Sequence, residues 1–169
     1  ERPWLAGLFY WTGLDYRGEP NPMFYPATGS QFGIFDYCGF PKDEAFYLKS
    51  WWTDEPVLHL SPHWNLAGHE GDSVRVWAYS NCDEVELFVN GKKLGRKSMP
   101  ADGYIEWKTV YRPGSLVAKG YKGGKKVMEE KIETTDKADR ISVEPYNTSF
   151  KADGQDIAIV DLTLKDKKN

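Results

Sequence analysis

Three carboxylates and a dense set of aromatic rings share the first part of the chain, and they are its most promising chemistry. Asp15, Glu19 and Asp36 are spread through a stretch carrying Tyr16, Phe24, Tyr25, Phe32, Phe35 and Tyr37, with Trp11 just ahead of it. Aromatic side chains make up 15% of the 169 residues, and most of the excess precedes Trp64. Rings in that number serve packing, and they also make flat platforms on which sugars stack. A loop carboxylate accepts a hydrogen bond from a ligand hydroxyl or holds a turn, the commoner use of Asp in loops. Asp15 and Glu19 are the candidates for ligand contact, and both uses stay open for each.

Other chemistries find little support. His59 and His63 are four residues apart, but the segment ends in Ser61-Pro62 and reads as a strand, where that spacing does not converge as it does on a helix. His69 stands beside Glu70 in a glycine-rich loop. Zinc needs three or four ligands in a tetrahedral array, so no metal is expected, and no cofactor. There is no phosphate loop, dinucleotide fingerprint or Ser–His–Asp arrangement. Cys38 and Cys82 read as two isolated thiols in packed positions. The net charge of −3 comes from interleaved acids and bases, without the basic stripe of a nucleic-acid binder. No apolar run approaches the ~20 residues of a membrane span. Glu1-Arg2-Pro3-Trp4 is not a basic and apolar signal sequence and reads like the middle of a domain.

The elements that must position these residues fall into three segments. Residues 1–52 begin with the apolar run Leu5-Ala6-Gly7-Leu8-Phe9-Tyr10-Trp11, of the kind a buried parallel strand shows. An irregular stretch from Thr12 to about Gly39 follows, and loops of that length are usually functional. Asp43–Trp52 suits a helix, with Pro41 and the acidic pair at its start and Ala45, Leu48 and Trp52 on one face. Residues 53–135 read as short strands at 57–60, 74–79, 84–89, 105–111, 116–121 and 126–132. Val85, Leu87 and Val89 share a face by period-two alternation, and Asn90-Gly91 supplies a hairpin turn. Strands at that spacing predict an Ig-like antiparallel β-sandwich without a core disulfide, so the fold class is mainly β. Residues 136–169 hold two more strands, at 140–143 and 157–164; two strands make no independent domain, so this reads as the truncated start of another Ig-like unit.

Three stretches carry a family resemblance. They are Phe9-Tyr10-Trp11-Thr12-Gly13-Leu14-Asp15-Tyr16-Arg17-Gly18-Glu19-Pro20, Ser30-Gln31-Phe32-Gly33-Ile34-Phe35-Asp36-Tyr37-Cys38-Gly39-Phe40-Pro41-Lys42-Asp43, and Pro62-His63-Trp64-Asn65 followed by residues 76–92, ending in Phe88-Val89-Asn90-Gly91-Lys92. Together they resemble the end of the catalytic barrel and the following β-sandwich of family 2 glycoside hydrolases, especially β-galactosidases of the gut Bacteroides type. The resemblance covers about residues 1–135.

The resemblance implies that residues 1–52 are the last strand, loop and helix of a (β/α)8 barrel, whose sites lie at the C-terminal strand ends. Trp11 then matches the tryptophan at the floor of the −1 sugar subsite, against the alternative that it packs inside the barrel. Retaining glycosidases need two carboxyl groups ~5–5.5 Å apart. In this family they are glutamates after barrel strands four and seven, so both are expected upstream of Glu1, and no catalytic residue is assigned to this chain. The substrate-binding candidates are Trp11, Asp15 and Glu19. The implied protein hydrolyses terminal β-galactosides or related β-glycosides with retention, while the isolated chain is inactive. Its partners are an oligosaccharide or β-galactoside, with no nucleic acid, no membrane span and room for a homo-oligomer. Family members imply a periplasmic or secreted bacterial location. The Asn-x-Lys pair with which related β-glucuronidases read a sugar carboxylate is not found near the loop, which leans toward a neutral sugar. The alternative function is a carbohydrate-binding or structural β-sandwich module, with Trp64, Trp77 or Trp107 as exposed platforms.

Overall fold

A computed structural model describes residues 4–20 and 22–168. The first three residues, read above as mid-domain sequence, lie outside the described residues, as do Asn21 and Asn169. The described elements are β1 (Tyr16–Arg17), β2 (Gly29–Ser30), α1 (Asp43–Trp52), β3 (Leu58–Ser61), β4 (Ser73–Ser80), β5 (Glu84–Val89), β6 (Lys92–Ser98), β7 (Ile105–Val110), β8 (Ser115–Lys122), β9 (Lys125–Glu133), β10 (Arg140–Pro145) and β11 (Val160–Lys165).

The mainly β reading holds. A three-stranded sheet, ordered β3-β4-β7, and a four-stranded sheet, ordered β6-β5-β8-β9, are antiparallel throughout and share one core. Alternation sorts the side chains. Val76 and Ala78 of β4 meet Val85, Leu87 and Val89 of β5 and Leu116 and Ala118 of β8, all buried. Asn90 and Gly91, at φ 48° and 75°, have the positive angles that a two-residue hairpin between β5 and β6 requires. Trp64 and Trp107 are buried, at 1% and 4% exposure, so neither is the platform that a binding module would present. Trp64 meets Tyr111 edge to face at 5.1 Å and donates its Nε1–H to the Arg112 carbonyl at 3.2 Å. Trp77 is half-buried on the outer face, its Nε1–H donating to Glu106 Oε2 at 2.8 Å.

Helix α1 packs across β3 and β4, on the sheet face that points away from the core. The side that docks carries Phe46 and Tyr47, whose rings contact His59 and Tyr79. Ala45, Leu48 and Trp52, the face marked by the helical spacing, line an open groove of about 430 Å³ with Phe35 and Pro41, and Trp52 stays 74% exposed. Helix α1 therefore has two apolar faces and uses the aromatic one here. The run from Leu5 to Trp11 forms no ladder, because among the described residues it meets no neighbouring strand; Leu8 and Phe9 are exposed. Cys82 is buried as expected, but Cys38 is exposed, in the turn that Asp36 holds, and both are free.

The last unit is a two-stranded ribbon, β10 with β11, in continuous register from Arg140↔Lys165 to Pro145↔Val160. Ile141 opposite Leu164 and Val143 opposite Leu162 make an apolar stripe on one face, all four exposed.

Candidate functional site

The loop expected between Thr12 and Gly39 is not structureless. Its two limbs are laced by backbone bonds: Ile34 N–H to Thr12 O at 3.2 Å, Phe35 N–H to Gly13 O and Asp15 N–H to Phe35 O, both at 2.9 Å. Strands β1 and β2 close it further, and Tyr37 Oη donates across it to the carbonyls of Tyr16 and Ser30, at 3.1 and 3.2 Å. Gly33 sits where these limbs press together. A Cβ there would lie 2.2 Å from the Asp15 backbone nitrogen, so no larger residue fits without parting them.

The three candidate ligand residues go to different places. Asp15 turns inward and is buried. Its Oδ1 accepts from the Gly33 N–H at 2.9 Å and from Lys42 Nζ at 2.7 Å. Lys42 also donates to the Gln31 carbonyl at 3.2 Å, so one ion pair ties the loop to the start of α1. Trp11 and Glu19 face outward and are joined by Tyr16, one of the loop's rings that was not among the ligand candidates. Trp11 Nε1–H donates to Tyr16 Oη at 3.3 Å, and Tyr16 Oη–H donates to Glu19 Oε2 at 2.5 Å. The Trp11 and Tyr16 rings meet edge to face at 6.2 Å and 86°. Gly18 and Glu19 both take left-handed backbone angles, φ 95° and 45°, which swing the carboxylate back over Tyr16. The only sequence signal for this chain of contacts was the i, i+3 spacing of Tyr16 and Glu19. Asp36 is occupied locally, accepting from the Cys38 and Phe40 N–H groups at 2.8 and 2.9 Å.

This arrangement offers an indole 72% exposed to solvent, beside a phenol and a carboxylate in one hydrogen-bonded line. It can stack on an apolar ring face and accept a hydroxyl's hydrogen bond at its edge. The Trp11–Thr12 peptide is cis, as are Tyr25–Pro26 and Ser61–Pro62. Among the described residues no three His, Cys, Asp or Glu side chains come together to hold a metal ion. No described helix is long and apolar enough to cross a membrane.

Comparison with known proteins gives consistent results. A family described as "Domain of unknown function (DUF4982)" matches residues 71–128, within the β-sandwich. "Beta-galactosidase BoGH2A" of Bacteroides ovatus is 41% identical over 99% of this chain, which spans 20% of that protein. A "Putative beta-glucuronidase" of Formosa agariphila is 37% identical over 83% of the chain and 14% of its own length. A crystal structure of a β-glycosidase from Bacteroides vulgatus superposes with a TM-score of 0.90 at 36% identity, over 98% of this chain and 21% of that one. A glycosyl hydrolase family 2 member from Bacteroides cellulosilyticus gives 0.85 at 29% identity, over 94% and 25%. The chain thus spans about a fifth of the length of the first of these curated relatives. By sequence and by fold together, the chain matches a region of glycoside hydrolase family 2 proteins.

Proposed function

We propose that the protein to which this chain belongs hydrolyses terminal β-galactosides with retention, and that this region supplies one wall of the sugar pocket and its supporting β domains. The observation that carries the reading is the exposed Trp11, held beside Tyr16 and Glu19 at the end of an apolar run that pairs with no strand among the described residues. As the last strand of a barrel, that run would place Trp11 at the C-terminal strand ends, where barrel sites form. The groove lined by Ala45, Leu48 and Trp52 would then receive the rest of the barrel, while the Phe46 face rests on the sandwich.

In this reading Trp11 is the platform under the sugar and Glu19 a hydroxyl acceptor. Asp15 contributes from behind, because its carboxylate is already committed to Gly33 and Lys42. The acid/base and nucleophile carboxyls come from outside this chain. A neutral sugar fits the lack of a cationic side chain in the Trp11–Tyr16–Glu19 line. Export to the periplasm or beyond belongs to the same proposal. A binding module without catalysis is disfavoured by the burial of Trp64 and Trp107.

The test is hydrolysis of aryl β-galactosides and β-glucuronides by the longer protein and by its Trp11→Ala variant. Losing one stacked sugar face costs about 1–3 kcal/mol by analogy with ring stacking on aromatics, so kcat/KM should fall by roughly fivefold to somewhat over a hundredfold. A variant with undiminished turnover would remove Trp11 from the pocket. Preference for the glucuronide would overturn the neutral-sugar part.

A further inference from the structure

His59 lies outside the candidate site, on the outer face of β3, and is enclosed on several sides. Its Nε2 is 2.8 Å from Asp43 Oδ1 on α1, and its Nδ1 is 3.4 Å from Glu130 Oε1 on β9. The Phe46 ring of α1 stacks on it at 3.9 Å and 14°, with Tyr79 of β4 parallel at 6.4 Å. The histidine side chain is 18% exposed. Asp43 also accepts from the Ser61 hydroxyl through Oδ2, and Glu130 Oε2 is buried with no hydrogen-bond partner.

A neutral imidazole has one N–H and one bare lone pair, whereas the imidazolium donates from both nitrogens. Two carboxylates facing the two nitrogens are matched only by the charged form. The ring stacked against Phe46 is also better placed as a cation over an aromatic face. The titratable groups facing His59 are Asp43 from α1, Glu130 from β9 and Tyr79 from β4; among the described residues no Lys or Arg is a partner. Burial draws the His59 pKa down, but the hydrogen bonds and charges of Glu130 and Asp43 together outweigh it and leave the pKa raised above 6.5.

Helix α1 also carries the loop. The Lys42 N–H, at the helix start, donates to the Ile34 carbonyl at 2.9 Å, and Lys42 Nζ holds Asp15. We propose that protonated His59 is a positioning residue: it latches α1 to the β-sandwich, and through Lys42 it sets the loop bearing Trp11, so that loop position depends on pH near neutrality. The latch stands on its own geometry. Only its consequence for sugar binding rests on the function proposed above.

The sign follows from linkage. A raised native pKa means that the latch is complete below the unfolded value of 6.5 and is lost as pH rises through the native value. The test needs no substrate, so its outcome is separate from that of the glycosidase reading. The 169-residue chain is titrated by NMR through its three histidines, with His59→Gln assigning the signal. Amide exchange of α1 is followed at about pH 5.5 and 8.5, corrected for intrinsic rates, on either side of an ordinary histidine pKa. His59 should titrate above 6.5, and α1 should lose protection on the order of fivefold at the higher pH, the scale of a partly exposed ion pair. Asp43→Asn should move the titration down. A wild-type His59 titrating at or below 6.5, or α1 exchange indifferent to pH, would overturn the latch. The wild-type titration decides even where His59→Gln fails to fold.

Discussion

Asp15→Ala separates the anchoring role of this carboxylate from direct contact with a ligand. The wild-type Oδ1 accepts from the buried Gly33 N–H and from Lys42 Nζ, with the Asp15 side chain 5% exposed and that of Lys42 28%. Truncation removes a charge-assisted bond, worth about 1.5–3 kcal/mol, and leaves a buried N–H unpaired at about 1–3 kcal/mol. The Lys42 ammonium reaches water and recovers part of the loss, and the two costs overlap. A net of about 2–3 kcal/mol is expected for the loop, or roughly thirtyfold to a hundredfold in its opening equilibrium. The affected bonds are Ile34 N–H to Thr12 O and Phe35 N–H to Gly13 O, so amide exchange at Ile34 and Phe35 is the assay. Those amides should lose protection by that factor, while β5 and β8, which Asp15 does not touch, should keep theirs. Asp15→Asn retains an acceptor in place and should fall between, near tenfold, because a neutral bond is about half as strong. Unchanged protection at Phe35 in Asp15→Ala would refute the anchoring argument and return Asp15 to the list of ligand contacts.

Two further outcomes follow from the sandwich. Tyr111→Phe removes the oxygen that accepts from the Leu66 N–H at 3.2 Å and sits 3.3 Å from Thr134 Oγ1, inside a fully buried site; it should cost about 2 kcal/mol in urea unfolding at unchanged m. Glu86 is held below the usual carboxylate range, first by its hydrogen bond from Lys93 and then, against the desolvation that raises it, by Tyr121. Its contribution is therefore present above an ordinary carboxyl pKa of 4.5 and lost as pH falls through the lower native value, so Glu86→Gln should flatten the acid limb of a stability–pH curve.

Where sequence reading succeeded, the signal was local. Val85, Leu87 and Val89 alternate because one face of β5 is buried, and Asn90-Gly91 follows because few residue pairs tolerate two positive φ angles. Strand β6, Lys-Lys-Leu-Gly-Arg-Lys-Ser, showed no such pattern. It is the edge of its sheet and largely exposed, so charge rather than alternation marks it. The docking face of α1 was not legible for a related reason. Ala45, Leu48 and Trp52 do make an apolar stripe, but periodicity cannot say which of two apolar faces meets which neighbour.

The candidate site divides in the same way. The sequence alone determined that Trp11 ends an apolar run, that the following loop is rich in rings and acids, and that a mainly β sandwich stands behind it, because composition and periodicity are properties of neighbours along the chain. Only the tertiary structure decided that Asp15 faces Lys42, 27 residues away, while Glu19 turns back to Tyr16, and that His59 stands between Asp43 and Glu130. Those partners come together through backbone angles at Gly18 and Glu19 and through the docking of α1 on β3 and β4. A carboxylate's role is set by which charge or amide reaches it in space, and spacing along the chain does not carry that information.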